Sequence, residues 1–327
     1  MKNAKFSAAA AMLGLAASMQ PALVSAAESY PSRSITMVVP FPAGGPTDIV
    51  ARVVGQKLSE DLGQSVVIDN KPGASSVIGA GQVARAAPDG YTLLLNYSGH
   101  VINPFLKKDL PFDPLKDFEP IVGLASTPQI LVVSPKVRAK SVEELLTLAR
   151  NSGKSMTFAS SSVGAPGHLA GELFSQMTKL PLMHVPYKGS APALTDLVGG
   201  QVDMMFDSAP SSIVFVRSGK LKALGVTSEK RTEVAPELPT MDESGLKGFS
   251  VTTWYGVWAP AKTPPDIIEK LNAALNKALA DADVRAKLLQ AGADPLGGSQ
   301  KDFAAFCRSE SERYGAIVKA ANIQPQS

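Results

Sequence analysis

The sequence predicts an α/β protein in which helices cover a parallel sheet. Short runs rich in Val, Ile and Leu alternate with segments whose apolar residues recur every three or four positions. Turns that contain Gly or Pro separate these segments. Strands that alternate with helices are typical of βαβ units, which form parallel sheets. The 327 residues are enough for one large or two medium-sized domains.

The first βαβαβ unit begins with an apolar strand at residues 35–39. The apolar positions from Ile49 to Leu62 then fit one face of a helix, which Gly63 ends. The other elements predicted for this unit are a strand at 66–68, a helix near 79–85 and a strand at 92–96.

The middle of the chain repeats the pattern. A strand at 130–133 precedes a helix that starts at Ser141, where Ser141 and Glu144 have the spacing of a capping box. Strands are then predicted at 157–159, 183–187, 202–206 and 221–228, with helices at 168–177 and 191–197. The last predicted elements are a strand at 254–258 and helices at 264–279, 284–290 and 300–320.

Residues 1–26 have the layout of a secretory signal peptide. Lys2 and Lys5 precede a small, apolar stretch at 6–19, and Val24-Ser25-Ala26 offers a cleavage site. The apolar stretch is too short to span a bilayer as a helix, and no Cys lies nearby to carry a lipid. We therefore expect cleavage and a protein free in the periplasm; a retained membrane anchor is the alternative.

Charge and cysteine content narrow the possible partners. The net charge of +3 falls by two when Lys2 and Lys5 leave with the signal peptide. The sequence has no basic block and no Arg stripe interleaved with aromatic residues, so no nucleic-acid partner is expected. Cys307 is the only cysteine and cannot form an internal disulfide. Its place in a helical pattern predicts burial rather than reactivity.

Two loops that follow predicted strands are poor in chemically active side chains. They span residues 42–46 and 160–167, and each places a Pro (Pro46 or Pro166) at the expected first helical position. A first helical turn has unpaired amides and carries the positive end of the helix dipole, so it binds anions without Lys or Arg. Two such loops would hold one carboxylate from opposite sides. A plain tight turn is the alternative for each loop.

The common nucleotide and hydrolase motifs are not met. The stretch GGPTDI lacks G-x-G-x-x-G, no G-K-[ST] follows it, and SSSVG is not a G-x-S-x-G elbow. A hydrolase that uses Ser162, His168 and Asp207 is kept as an alternative. His168 and Glu172 share a helix face, but a third ligand is missing, so neither a metal nor another cofactor is expected.

Long segments along the chain stand in the order and spacing of one known family. They are VPFPAGGPTDIVAR, VIDNKPGASSVIGA, ARAAPDGYTLL, INPFL…LPFDPLKDF, HLAGELF, HVPYKGSAPALTDLVGGQVDMMFD and GKLKALGVTS. Together they resemble the Bug family, the extracytoplasmic solute receptors of tripartite tricarboxylate transporters. The resemblance covers essentially the whole mature chain. It implies a periplasmic-binding-protein fold of the type II-like, Venus-flytrap kind, with two α/β lobes and a two-strand hinge.

The resemblance also implies how the chain is divided and what it does. Lobe one would comprise 27–125 plus 253–327 and lobe two 126–252, with the hinge near 123–129 and 250–254. The cleft would capture a small carboxylate (a di- or tricarboxylate, an amino acid or an aromatic acid) and deliver it to membrane permease subunits. We expect a monomer without enzymatic activity; a sensing partner of a sensor kinase is the alternative.

In the family, backbone groups and bound waters of the two loops hold the carboxylate. The residues that this implies here are Pro42, Ala43, Gly44, Gly45, Thr47, Asp48, Ser98 and Gly99 in lobe one, and Ser160, Ser161, Ser162, Gly164, His168, Tyr187 and Asp207 in lobe two. Asp207 is expected to contact the far end of the ligand or an ammonium group. Tyr97 is an aromatic insertion, and Ala165-Pro166-Gly167 replaces the usual Ser/Thr. These two departures leave the identity of the ligand open.

Overall fold

The structure is a computed structural model that describes residues 30–325. The predicted signal peptide lies outside the described residues. The strands are β1 (Ile35–Val39), β2 (Val66–Asn70), β3 (Thr92–Tyr97), β4 (Phe118–Val133), β5 (Met156–Ser160), β6 (Leu182–Pro186), β7 (Met204–Ser208), β8 (Lys222–Val226), β9 (Thr252–Pro260) and β10 (Asp294–Pro295). They form one mixed sheet in the order β2-β1-β3-β9-β4-β7-β5-β6, in which β8 and β10 also pair with β4.

Helices cover this sheet. They are α1 (Pro46–Leu62), α2 (Val77–Ala84), α3 (Gly99–Leu106), α4 (Val142–Ser152), α5 (Pro166–Thr178), α6 (Ser190–Gly199), α7 (Ala209–Arg217), α8 (Pro265–Ala280), α9 (Ala282–Gln290) and α10 (Gln300–Ala320). Within residues 30–325, no helix combines the length and apolarity needed to cross a membrane.

The parallel arrangement predicted for the first unit is confirmed. β1 pairs in parallel with β2, in a register that sets Ile35 opposite Val66, and with β3, where Thr36 lies opposite Thr92. β5 likewise runs parallel to β6 and β7. The carboxyl ends of these strands therefore lie at one edge of each half of the sheet, which is where open α/β sheets bind ligands.

The expectation of a wholly parallel sheet is wrong in the centre of the molecule. β9 is antiparallel to β3, and β4 is antiparallel to β7, β8, β9 and β10. Antiparallel strands do not need a covering crossover helix between them. The sequence 118–129, which holds Pro120, Gly123 and Pro128, lacks the uninterrupted apolar run from which the other strands were predicted.

β4 and β9 join the two halves of the sheet. The first half holds β1, β2 and β3, and the second half holds β5, β6 and β7. Their antiparallel pairing runs from Phe118 opposite Pro260 to Pro128 opposite Thr252. Beyond this pairing, the last five residues of β4 leave β9 and pair with β7 instead. Both halves are therefore connected through a two-stranded ribbon, which overlaps in part with the segments 123–129 and 250–254 where the resemblance implies a hinge.

The last helix packs across this ribbon. Residues of α10 share one buried apolar cluster with residues of both halves of the sheet. The indole Nε1 of Trp254 in β9 donates to the Glu310 carboxylate of α10 at 2.8 Å, and burial raises the pKa of Glu310. Cys307 on the same helix is 2% exposed, so its predicted burial is confirmed. Burial also raises the pKa of its thiol, which keeps the thiol protonated and unreactive.

Two helices were not predicted from the sequence, α3 and α7. α3 is only eight residues long and contains Pro104, and α7 begins Ala-Pro-Ser-Ser. Pro, Ser and Gly weaken the local helix signal, so packing against the sheet decides these two segments. The predicted start of α4 is confirmed, because the Ser141 Oγ accepts the amide of Glu144 at 3.1 Å.

Candidate functional site

In the structure the first loop comprises residues 41–45, because Pro46 already belongs to α1. A buried carboxylate holds this loop. Asp48 is 1% exposed. One of its oxygens accepts the Gly44 amide and the Arg52 Nε, both at 2.8 Å, and the other accepts the Asn70 Nδ2 at 2.9 Å. Burial opposes ionisation, but the bonds to Arg52, Gly44 and Asn70 outweigh it and lower the pKa of Asp48 below its usual value. Asp48 is therefore an anion that fastens the loop.

The loop leaves its glycines open on one side. Asn70 ties the opposite end by donating to the Phe41 carbonyl at 3.0 Å. Gly44 has φ +82°, a left-handed conformation that favours glycine. Gly45 has the ordinary extended values φ −77° and ψ 168°. A Cβ built on Gly45 would contact only the Pro42 carbonyl, at 3.4 Å, so the space next to this residue is free.

α1 starts directly after the loop. Pro46 is its first residue and has no N–H to leave unpaired. The amides of Thr47 and Asp48 belong to the first turn and have no acceptor inside the helix. These amides and the helix dipole favour a negatively charged group at the end of the loop.

In the structure the second loop comprises residues 160–165, because α5 begins at Pro166. The carbonyls of its first three residues are turned inward. The Ser160 carbonyl accepts the Tyr187 amide at 2.9 Å, and the Ser161 carbonyl accepts the Gly189 amide at 2.8 Å. The Ser162 carbonyl accepts the hydroxyl of Ser160 at 3.0 Å. Three successive acceptors are thus satisfied inside the protein, which leaves no carbonyl in this run that must be directed at an anion.

A pair of stacked imidazoles lies under the second loop. Their ring centroids are 3.9 Å apart. His168 Nδ1 accepts the Gly164 amide at 3.0 Å, so this nitrogen carries no proton. His184 Nε2 lies 2.7 Å from the Ser160 hydroxyl, which itself donates to the Ser162 carbonyl. Because one hydroxyl has one proton, His184 Nε2 is the donor to Ser160. Both imidazoles therefore position the loop.

His184 is a site residue that the sequence reasoning missed. It was interpreted only as part of a strand, and no motif marks it as a partner of Ser160. The register gives the signal in retrospect: His184 lies beside Phe158 on the neighbouring strand, on the face that α5 covers. The groups of α5 that face it are His168 and Glu172, whose side chains approach each other to 3.5 Å.

Acid should lower the stability of the fold through His184, which lies in the cluster with His168 and Glu172. Burial, with the His168 ring second, lowers the pKa of His184 to about 4. The unfolded chain, with histidines near 6.5, therefore binds more protons between pH 6.5 and 4, and stability falls as pH falls through this window. We expect His184→Phe, which keeps the stacking, to show a smaller drop in melting temperature between pH 7 and pH 5. Equal drops in the variant and the parent protein would contradict this role.

Tyr97 and Ser98-Gly99 close the end of β3. The Ser98 amide donates to the Trp254 carbonyl at 2.8 Å, so this turn is tied to β9. The Tyr97 ring lies on Gly99, where an added Cβ would be 2.2 Å from Tyr97 Cζ. The same ring meets Phe41 edge-on, with centroids 5.3 Å apart. Tyr97 thus connects the β3 turn with the first loop.

Asp207 holds two helix starts together, and its predicted contact with the far end of the ligand stays a prediction. Asp207 is 2% exposed, and burial raises its pKa. One oxygen accepts the Ser190 hydroxyl at 2.6 Å and the other accepts the Ser211 hydroxyl. It therefore ties the starts of α6 and α7 together. The Tyr187 hydroxyl similarly donates to Asp196 at 2.8 Å.

Exposure divides the candidate site residues into two groups. Exposed or half-buried are Pro42, Ala43, Gly44, Gly45, Ser161, Ser162, Gly164 and Tyr187. Buried are Thr47, Asp48, Ser98, Gly99, Ser160, His168 and Asp207. The first group comes almost entirely from the two loops, so these positions are accessible to a ligand. Most of the buried side chains are engaged in holding those loops and the helix starts next to them.

Two cavities lie where the halves of the molecule face each other. Tyr97 from the first half, residues 162–165 of the second loop and Pro166 of α5 line a cavity of about 260 Å³. Pro46 at the start of α1 lines a separate cavity of about 540 Å³, together with Pro210 of α7. The structure therefore brings the second loop and the start of α1 to the space between the halves, but it does not join them in one cavity, and no residue of the first loop lines either one.

The side chains of the alternative hydrolase are not connected. Among residues 30–325, the ring nitrogens of His168 are directed at Gly164 and Glu172, and Asp207 binds two serines. Ser162 contributes its carbonyl to Ser160 instead of a hydroxyl to a base. Ser160, which does contact a histidine, is fully buried and inaccessible to a substrate. The arrangement lacks the nucleophile–base–carboxylate chain of a catalytic triad.

Comparison with known proteins places the chain in a family. The model of the tripartite tricarboxylate transporter family receptor matches residues 50–323. The periplasmic binding protein BugD is 39% identical; the alignment covers 91% of this chain and all of BugD, with a TM-score of 0.72.

Two further solved structures contain carboxylates. Rpa4515 of R. palustris with adipate is 37% identical, covering 91% of this chain and 100% of that one, with a TM-score of 0.76. MatC (Rpa3494) of Rhodopseudomonas palustris with bound malate is 35% identical, covering 88% and 100%, with a TM-score of 0.70. These relatives confirm the expected family and fold class. The chain belongs to the tripartite tricarboxylate transporter receptor family and has the fold of the Bug-type periplasmic solute-binding proteins.

Proposed function

We propose that the protein is a periplasmic receptor that captures a small carboxylate between its two halves and delivers it to the permease subunits of a tripartite tricarboxylate transporter. The family match and the adipate and malate complexes of two relatives support a carboxylate ligand. The single observation that carries the proposal is that both loops are fixed in place and contain no charged residue. Internal bonds hold both loops, and neither presents a charged side chain to the space between the halves.

The proposed binding mode follows from these bonds. The carboxylate lies at the first turn of α1, with the Gly44–Gly45 backbone beside it, and the amides of the second loop approach it from the other half. Backbone amides held in place beforehand bind an anion without the entropy cost of ordering long Lys or Arg side chains. Asp48, His168 and His184 act in this mode by positioning the main chain.

Closure of the cleft would commit the ligand to transport. We propose that lobe one (27–125 plus 253–327) and lobe two (126–252) move about the β4–β9 ribbon, near Ser126 and Trp254. The closed state is favoured because the second loop gains contacts with the ligand only there. The closed and loaded form is then the one that the permease subunits recognise.

A thermal-shift screen against small acids tests the function directly. A ligand present at 100 times its dissociation constant stabilises the folded protein by about 2.7 kcal/mol. We expect one or more carboxylates to raise the melting temperature and the corresponding amides or esters, which lack the negative charge, to have no effect. Stabilisation by the uncharged analogues to the same degree would contradict an anion site.

A further inference from the structure

The cavity of about 540 Å³ lies between α1 on one half and α7 on the other. The β4–β9 ribbon contributes Thr127 and Tyr255 to its lining, and the segment 289–293 contributes another part. Small-molecule sites usually measure about 300–1,000 Å³, so this space is large enough for a metabolite. It adjoins the first turn of α1, where the proposed function places the carboxylate.

The lining of this cavity is mainly apolar. Its apolar side chains include Ile49, Val50, Ile213, Val214, Val234 and Leu289. Ile49 is 39% exposed and Val214 is 57% exposed, and they approach the cavity from opposite halves. An apolar ligand surface in this space would remove both side chains from water, which is the main source of affinity for such surfaces.

The polar groups of the lining have other partners or lie at the rim. Glu233 is exposed and pairs with Arg285 at 3.2 Å. Arg217 is exposed and directs one guanidinium nitrogen at the Val234 carbonyl, 3.5 Å away. A site that selects a hydroxyl or an ammonium group needs buried polar partners aimed at it. In the described lining, Thr127 and Tyr255 are buried and carry hydroxyl groups, and these two side chains are hydrogen-bonded to each other.

The polar end of the cavity is suited to an anion. Pro46 in the first turn of α1 and Pro210 in the first turn of α7 both line it. The positive ends of two helices from opposite halves therefore face the same space. The cavity combines an electropositive end with an apolar wall, which matches an acid with a hydrocarbon body.

We propose that this receptor selects carboxylic acids with an apolar body, an aliphatic chain or an aromatic ring, and that this body fills the cavity between Ile49 and Val214. The inference rests on the proposed function and specifies its substrate class. It predicts discrimination against small hydroxy acids and amino acids, whose polar substituents would lose water without gaining partners.

Calorimetric titration of the mature protein with straight-chain acids from acetate to octanoate tests the inference, with malate and aspartate as polar competitors. We expect affinity to rise about fourfold for each methylene group until the cavity is filled. Hexanoate should then bind at least about tenfold more tightly than malate or aspartate, a difference typical of hydrophobic selectivity.

A double variant, Ile49→Asn with Val214→Asn, locates the hydrocarbon body. It should lower hexanoate affinity about tenfold and leave acetate affinity within about twofold, because only the longer acid reaches these side chains. The matched control is Val67→Asn on β2, which is 51% exposed and does not line the cavity. Both cavity positions are exposed, so the variants should fold, and each single variant can be measured separately.

The possible outcomes distinguish failure of the apolar-body inference from failure of the proposed carboxylate-receptor function. A flat chain-length series, or tighter binding of malate or aspartate than of hexanoate, overturns the apolar-body inference and leaves a carboxylate receptor in place. Equal loss of hexanoate affinity in the Val67 control overturns the assignment to this cavity. Failure of every acid to bind would overturn both the inference and the proposed function.

Discussion

Replacing Gly45 by leucine is expected to lower carboxylate affinity by at least about 100-fold while leaving the melting temperature of the free protein nearly unchanged. Gly45 has φ and ψ values that leucine adopts readily, and an added Cβ contacts only one carbonyl, at 3.4 Å. The fold therefore accommodates the side chain, which then occupies the path of the anion. Losing two charge-assisted hydrogen bonds of about 1.5 kcal/mol each is enough for this effect.

Two controls make this prediction specific. Gly199→Leu places the same side chain at the end of α6, where an added Cβ meets nothing within 4 Å. Lys188→Ala removes an exposed positive charge that directly follows Tyr187 in the chain. Calorimetry on all three variants should show a large loss only for Gly45→Leu. Similar losses in Gly45→Leu and Lys188→Ala would refute a clamp built from the backbone.

Gly167→Ala is expected to lower the free energy of unfolding by more than a methyl group added at Gly45 or Gly199 would. Gly167 lies in the first turn of α5, where an added Cβ would be 2.1 Å from the Phe206 carbonyl oxygen of β7. The carbonyl that the methyl group meets is main chain and cannot rotate away, so the helix must move away from the sheet. Overpacking costs about 1–3 kcal/mol where side chains can adjust, and here we expect about 3 kcal/mol or more.

Thermal denaturation checks this expectation. A loss of about 3 kcal/mol corresponds to a fall in melting temperature of roughly 5 °C for a protein of about 300 residues, because the entropy of unfolding is about 2.1 cal/mol/K per residue. Gly199→Ala on α6 is the matched control, because its added methyl group meets open space. A fall of less than about 2 °C for Gly167→Ala would show that α5 and β7 separate without strain.

The outer parts of the fold could be predicted from the sequence because their signals are local. β1 and α1 show a clear apolar run and a clear helical period, and Gly63, with φ +65°, ends the helix as predicted. β4 could not be predicted in full because its strand character depends on pairing with β9, 124 or more residues away. Its first part contains Pro120 and Gly123, which oppose a strand locally.

The sequence predicted the two loops of the candidate site but not the hydrogen bonds that hold them in place. The two Gly- and Pro-containing loops could be recognised from residue type and from the proline that follows each one. The partners that hold them could not, because Asn70 reaches the first loop from β2 and His184 reaches Ser160 from β6. Such contacts depend on strand order and on the face to which each side chain points. The sequence alone gives neither reliably.

The inward-facing carbonyls of residues 160–162 have a consequence for how related receptors diverge. Main-chain groups are present whatever side chain a codon specifies, so the proposed binding of the carboxylate by the main chain would not constrain the residues around the rest of the ligand. Under the proposed function, substitutions in the wall of the larger cavity would therefore change which compound is bound without loss of the ability to bind an acid. A library randomised at Ile49, Ile213 and Val214 should accordingly yield folded receptors with new preferences.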